Sequence, residues 1–414
     1  MPLIPQLQVL QNAIISGNVP QIVLASISAA VVMRASDIHI EPEEHIVRIR
    51  YRVDGALKQI VEYSTNIHPA VISRLKIMSN LKIDEQRMPQ DGRAAVQAED
   101  GRELDLRVST LPTVNGEKIC MRIQDKSRKI PKIEELGMRG NNLKFFKEAV
   151  AAPNGVILVT GPTGSGKTTT LYSCMQELNT EDVNIMTIED PVEYQMDGLN
   201  QSQVHAEIDY TFSSGLRCAL RQDPDIIMVG EIRDQETIGI AIQAALTGHQ
   251  VFSTIHTNSA VSTLVRIADM KVKPYLITSA LHTIVAQRLI RKICSECKEE
   301  IPLDEANLVE INKILTGYQT TPEDEQILAN KKIFKGKGCD VCGGTGYKGR
   351  IGIYEIMPMF REVADLVLEN APSHILSEAA IKGGMTTLAQ DGIMKVFLGL
   401  TTLEEVYNST KSSV

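Results

Sequence analysis

The chain has 414 residues and is 43% hydrophobic, enough to bury more than one core, and its length suggests two or three domains of a soluble protein. Its 43 basic and 51 acidic residues give a net charge of −8, which argues against a sequence-independent grip on nucleic acid. The longest apolar run near the start, Ile22 to Met33, is too short to span a bilayer and lacks the basic start of a secretory signal. Seven cysteines without an export signal point to a reducing compartment, where metal binding or free thiols are expected rather than disulfides.

In chain order, residues 1–19, an N-terminal helical segment, carry Pro2, Pro5, Gly17 and, just beyond, Pro20 around one short apolar segment, Leu7 to Ile15, expected to be a single helix packed on something larger. A helical run over 21–35 leads into Ile38, where apolar residues begin to alternate and a half-buried strand starts. Asp37, His39 and Glu41 would share one face. Such an alternation is ordinarily the solvated face of a strand, with a metal site the lesser reading. Strands follow at 46–53 and 57–60 around an Asp54-Gly55 hairpin turn, then a helix at 68–80 and strands at 93–98, 103–110 and 117–124. Residues 20–124 thus read as a small α+β domain. On its strands, Arg107 and Arg122 taken alone are surface charges. The polar, proline-bearing stretch inside 125–137 reads as a linker.

From 138 onward strands and helices alternate: strand 155–160, helix 167–178, strand 184–188, helix 212–221, strand 225–230, helix 234–246, strand 250–255. That rhythm predicts an α/β domain whose largely parallel sheet is covered on both sides, with ligands at the carboxyl ends of its strands. Residues Gly155 to Tyr172 form a buried strand that breaks on Gly161-Pro162-Thr163-Gly164-Ser165-Gly166-Lys167-Thr168-Thr169 and restarts as a helix. Glycines allow successive backbone N–H groups to converge as an anion nest, and the helix N-terminus adds to the field. Lys167 would reach the outer phosphates of ATP and Thr168 would ligate Mg²⁺. Hydrolysis also needs an oriented water. Glu231, at the end of strand 225–230, is positioned to polarise it, with Glu193 helping to hold the metal's waters and His256 sensing the γ-phosphate.

Cys294 and Cys297 form one Cys-x₂-Cys pair, and Cys339 and Cys342 a second. Glycines 338, 343 and 344 permit the tight turn a chelating pair needs, so the four read as one structural Cys₄ zinc site, with redox dithiols as the competing reading. The charged segment 303–332 between them is expected to form helices in a protruding lobe. Cys120, Cys174 and Cys218 are isolated and expected to be packed. A strand resumes over 346–355, helices fill the chain to about 407, and the tail reads as frayed.

Taken together, Arg34 to Pro42, the glycine loop, Thr187 to Glu193, Leu220 to Asp234 and Thr247 to Asn258 occur in the order of the type II secretion and type IV pilus assembly ATPases. The chain resembles that family over roughly residues 20–407. The resemblance implies a PAS-like amino-terminal domain and a RecA-like P-loop ATPase domain over 138–414, with the zinc-binding insertion at 291–346. It also implies a homohexamer on the cytoplasmic face of a bacterial inner membrane, acting on a polytopic platform protein. By it, Glu189, Asp190 and Glu193 match an acidic box, His249 and His256 a histidine box, and Glu231 an atypical Walker B glutamate. Arg107, Arg122, Arg217, Arg221 and Arg350 become candidate phosphate-contacting arginines, the first two as fingers. The cysteine pairs look like the zinc module of the extension and secretion members, which retraction ATPases lack. Longer members carry a further amino-terminal docking domain, whereas here only about 20 residues precede the helix at 21. A DNA-uptake or nucleic-acid-translocating ATPase is the alternative, and the acidic charge and 4% aromatic content count against direct contact with nucleic acid.

Overall fold

The computed structural model describes residues 5–98, 101–125 and 129–411. The chain divides into two compact units, Met1–Lys129 and Ile130–Val414. Residues 126–128 of the expected linker lie outside the described residues. Its second half already belongs to the second unit: Ile133 and Met138 are buried in a core with Ile157 and Val159.

The first unit opens with α1 (Pro5–Ser16) and α2 (Val19–Val32). As expected, the apolar segment is a helix packed on something larger. Leu7, Leu10 and Ala13 of α1 pack in the same core as Ile38, Ile40 and Val47. Asn18 caps α2 by accepting from the Gln21 N–H at 3.2 Å. The strands are β1 (Ala35–Pro42), β2 (Ile46–Val53), β3 (Ala56–Ser64), β4 (Gln90–Gln97), β5 (Glu103–Thr113) and β6 (Gly116–Asp125), with α3 (His68–Met78) between β3 and β4. They form one sheet in the order β3-β2-β1-β6-β5-β4. The β2–β3 hairpin turns on Asp54 (φ 49) and Gly55 (φ 87), the two positive φ values of a type I′ turn.

The second unit contains α4 (Gly140–Val150), β7 (Gly155–Thr160), α5 (Lys167–Leu178), β8 (Ile185–Glu189), β9 (Leu199–Gln203), α6 (Phe212–Ala219), β10 (Ile226–Val229), α7 (Gln235–Leu246) and β11 (Gln250–Ile255). Then come α8 (Ala260–Asp269), α9 (Pro274–Ala280), β12 (Leu281–Ile293), β13 (Lys298–Ile301), α10 (Glu305–Ile314), α11 (Pro322–Ala329), β14 (Ile333–Gly336) and β15 (Tyr347–Pro358). Last are α12 (Arg361–Leu368), α13 (Ser373–Lys382), α14 (Leu388–Phe397) and α15 (Leu403–Thr410). The main sheet runs β15-β12-β7-β11-β10-β8-β9. Every neighbouring pair is parallel except β12 with β15. Burial on both faces explains the unbroken apolar run of β7: Val156 and Leu158 enter one core, Ile157 and Val159 the other.

The lobe between the cysteine pairs does contain helices, α10 and α11, beside a two-stranded β13–β14 ribbon. It does not simply protrude. Ile311 and Ile333 share a core with Ile290, Ile353 and Val396, so the lobe is seated on β12, β15 and α14. The tail expected to fray is helical through Thr410. Cys174 is buried as expected, but Cys218 is exposed and accepts from Arg221 at 3.3 Å. On α14, Lys395 is fully buried and donates to Asp391 at 2.6 Å and to the Gly352 carbonyl at 2.7 Å. Replacing Lys395 with Met strands a buried carboxylate and should destabilise the second unit by about 3–5 kcal/mol. Thermal unfolding of K395M should show the fall, and an unchanged midpoint would contradict this view of the pair.

Candidate functional site

The site lies where the carboxyl ends of β7, β11 and β10 come level. Register places Thr160 beside Ile255 and Ser253 beside Val229, so the loops that leave these strands emerge along one edge. After β7 the chain turns through Gly161 (φ 145), Gly164 (φ 79) and Gly166 (φ 91) into α5. At Gly161 the requirement is also steric, since a Cβ there would stand 2.3 Å from the Gln287 carbonyl oxygen. Pro162, Thr163, Thr168 and Thr169 are exposed around the loop, and Ser165 is buried beneath it. The Lys167 ammonium donates to the carbonyls of Gly161 at 2.9 Å and Pro162 at 3.2 Å. Burial pulls its pKa below the usual lysine range, and the charge of Glu231 works in the other direction.

Glu231 follows β10. The residues on either side of it are pinned to different strands, Gly230 N–H to the Ile188 carbonyl and Ile232 N–H to the Thr254 carbonyl, each at 2.8 Å. Its side chain is mostly buried and receives the Arg233 guanidinium, and His256 Nε2 lies 3.4 Å from its other oxygen. His256 comes off β11, the strand between β7 and β10. The loop that carries it is bolted down on both sides. Thr160 Oγ1 accepts from the Thr257 N–H at 2.9 Å, and buried Glu355 on β15 accepts from the Ala260 N–H at 2.7 Å. Burial raises the Glu355 pKa, against the pull of the bonded N–H groups.

The acidic group divides. Glu189 is buried and accepts from Thr187 at 2.6 Å, from Gln201 at 3.2 Å and from the Tyr172 hydroxyl. Burial raises its pKa despite those bonds. It therefore anchors α5 to β8. Asp190 is exposed, and its charge acts on Arg233. Glu193 follows in the same loop, its N–H donating to Tyr172 at 3.2 Å.

Other expected residues are not brought to this edge. His249 precedes β11, so the full strand of six residues, about 20 Å, separates it from His256. Its ring instead meets the Ala244 carbonyl at 3.0 Å. Arg217 on α6 pairs with Glu236 in the first turn of α7, beside an open cavity of about 660 Å³. Arg221 donates back to the Arg217 carbonyl at 3.0 Å. Arg350 sits on β15 opposite Arg291, on the part of the β12–β15 ribbon that continues past the end of β7.

In the first unit, Arg107 and Arg122 are register partners. The row extends to Arg93 beside Arg107 and to Asp37 beside Arg122, with Arg52 beyond. Four arginines and one carboxylate thus lie side by side across five strands. The Asp37 carboxylate, only 8% exposed, accepts from Arg122 at 3.0 Å. Two rows away, Arg50 and Lys118 pair with Glu41 at 2.6 and 2.8 Å and hold its carboxyl down to about 2 although burial opposes them. The carboxylates of Asp37 and Glu41 are thus taken by basic side chains, and among the described residues no metal-ligand cluster forms there.

The four cysteines do converge. Their sulfurs all lie within 4.8 Å of one another, with separations of 3.9 Å (Cys294–Cys339), 4.0 Å (Cys297–Cys342) and 3.8 Å (Cys339–Cys342). Tetrahedral thiolates with metal bonds of about 2.3 Å have edges of about 3.8 Å. The N–H groups of Cys339 and Gly346 point at Cys342 Sγ, at 3.1 and 3.2 Å.

Several residues that tie the site together were not singled out from sequence: Thr160, Tyr172, Gln287 and Glu355. Glu355 is a carboxylate inside an apolar stretch, Ile353 to Met357, and that is the signal it leaves, whereas Gln287, followed by Arg288, leaves none.

This arrangement is an α/β ATPase fold with a four-cysteine cluster. It is similar to the structure of the pilus retraction motor PilT with bound ADP (27% identity, TM-score 0.60, covering 93% of this chain and 96% of that one). It shares its fold with the ATPase DotB of Legionella pneumophila (22% identity, TM-score 0.67, covering 94% and 95%). The family model for type II/IV secretion system proteins matches residues 14–408, and the chain belongs to that family. It is 46% identical to the type IV pilus assembly ATPase PilB of Myxococcus xanthus, covering 92% of this chain and 66% of the relative. To the type II secretion system protein E of Aeromonas hydrophila it is 41% identical, covering 99% and 79%.

Tyr172→Phe should destabilise the protein by about 1–3 kcal/mol, because it removes a donor from a buried carboxylate. Calorimetry on Y172F checks this, and an unchanged midpoint would mean that the tie between α5 and β8 carries no weight.

Proposed function

We propose that the chain is an ATP hydrolase whose turnover drives assembly of pilin-like filaments, in type IV pilus biogenesis or type II secretion. It would work as a ring of six on a polytopic platform protein at the cytoplasmic face of a bacterial inner membrane. The observation that carries this reading is the meeting of three strand ends, where Glu231 from β10 bears electrostatically on Lys167 of the glycine cradle and touches His256 from β11. The names of the relatives support the filament and secretion roles. Among the described residues no helix is long and apolar enough to cross a membrane, which agrees with a peripheral location.

In this reading the second unit is a RecA-like P-loop domain and the first is PAS-like. The residues around the cradle fit Mg-ATP: glycine N–H groups and Lys167 for the phosphates, and the exposed Thr168 hydroxyl for Mg²⁺, which would supply neutralisation of phosphate charge. Glu231 is the group that orients and polarises the attacking water. Its bond to Arg233 and its proximity to His256 hold the carboxylate at that edge. Glu193, in the loop after β8, completes the acidic lining, and Glu189 acts through Tyr172 rather than on the metal. Arg107 and Arg122 are the charge-neutralising fingers.

The cysteines form a structural zinc site. Four thiols this close cannot all ionise without a cation, and burial together with the neighbouring sulfurs pushes Cys297 up to about 12. Four protein ligands leave no position open for water.

Glu231→Gln should keep ATP binding within about twofold while lowering turnover by at least about 100-fold, as expected when the group acts on the transition state. Steady-state hydrolysis with a parallel binding assay decides, and undiminished turnover would refute the role of Glu231. Elemental analysis should find one zinc per chain, lost together with thermal stability in Cys294→Ser. Absence of metal from the native protein would overturn the zinc assignment.

A further inference from the structure

Gln287 is 2% exposed and lies on β12, one residue past the point where that strand stops pairing with β7. Both ends of its amide engage the cradle. Its Nε2 donates to the Ser165 carbonyl at 2.8 Å, and its Oε1 accepts from the Thr170 hydroxyl on α5 at 2.8 Å. Its own carbonyl presses on Gly161, and Leu289, two residues further along β12, lies against Gly166.

A trans peptide unit is planar, with C=O and N–H directed oppositely. Anchoring the Ser165 carbonyl therefore fixes the direction of the Gly166 N–H, which heads α5 and belongs to the anion nest. Gly166 is the pivot: with φ 91 and no side chain, it tolerates rotation of this peptide unless an outside group restrains it. The Thr170 bond fixes the amide orientation of Gln287, so that its NH₂ and not its oxygen faces the carbonyl.

We infer that Gln287 is a positioning residue that aims the Gly166 N–H into the phosphate cradle, so that nucleotide affinity depends on it. The inference rests on the nucleotide-binding reading above. Gln287 touches no reacting atom in this account. Its loss weakens the grip on the phosphates that ATP and ADP share, and leaves the Glu231 step in place.

The test uses the full chain, Mg²⁺ and fluorescent ATP and ADP analogues. Gln287→Leu keeps the volume and removes both bonds. It should weaken binding of both nucleotides and raise KM about tenfold, the scale of one charge-assisted hydrogen bond, with kcat within about threefold. Gln287→Glu retains an acceptor for Thr170 but sets a carboxylate against the Ser165 carbonyl, and should be worse than Gln287→Leu. Thr170→Val removes only the orienting bond and should be milder. A merely structural role would instead lower kcat and the thermal midpoint together and leave KM alone. Wild-type-like KM and binding in Gln287→Leu would overturn the inference alone. A wild-type chain that binds neither nucleotide would overturn the nucleotide reading and this inference with it.

Discussion

The parallel register of β7, β11 and β10 is the constraint on which the rest depends. Because their strand ends come level, a glycine turn, a carboxylate and a histidine separated by up to 95 residues of chain, from Gly161 to His256, share one edge. None of these groups is held there by its own loop alone. Thr160 secures the loop after β11, Ile188 and Thr254 secure the residues around Glu231, and β12 overruns β7 to brace the glycine turn. Local deformation is expensive in such a close-packed frame, so the site is organised by the sheet.

The same frame extends to the cysteine cluster. β12 carries Gln287 at the cradle and ends at Ile293, next to Cys294. The Ile293 and Cys294 N–H groups are bonded to the Leu400 and Gly346 carbonyls, so this end of the strand is tied down as the cradle end is. The four-cysteine cluster and the glycine turn are therefore both tied to one strand, β12.

Much of this was legible in sequence because local chemistry announces it. Glycines at 161, 164 and 166 all take positive φ, as does the Asp54-Gly55 pair. The strand–helix rhythm follows hydrophobic periodicity, and the paired Cys-x₂-Cys motifs converge in one cluster. What stayed hidden was long-range pairing. Nothing around Gln287 says that it will meet Ser165, 122 residues earlier, and a row of Arg52, Arg93, Arg107 and Arg122 exists only once the order of the first sheet is known. Motif likeness grouped His249 with His256, and the order of the sheet sets the two at opposite ends of β11. Glu189, an acidic-box residue by its sequence, is buried against Tyr172 because a strand end can hold a carboxylate for support as readily as for chemistry.

The central claim is that ATP phosphates lie against residues 161–168 while Glu231 prepares the attacking water. A structure of the protein with Mg²⁺ and a non-hydrolysable ATP analogue tests it most directly. The account predicts a γ-phosphate at Lys167 with an ordered water between it and the Glu231 carboxylate. Phosphates bound elsewhere, or a Glu231 turned away from them, would contradict it.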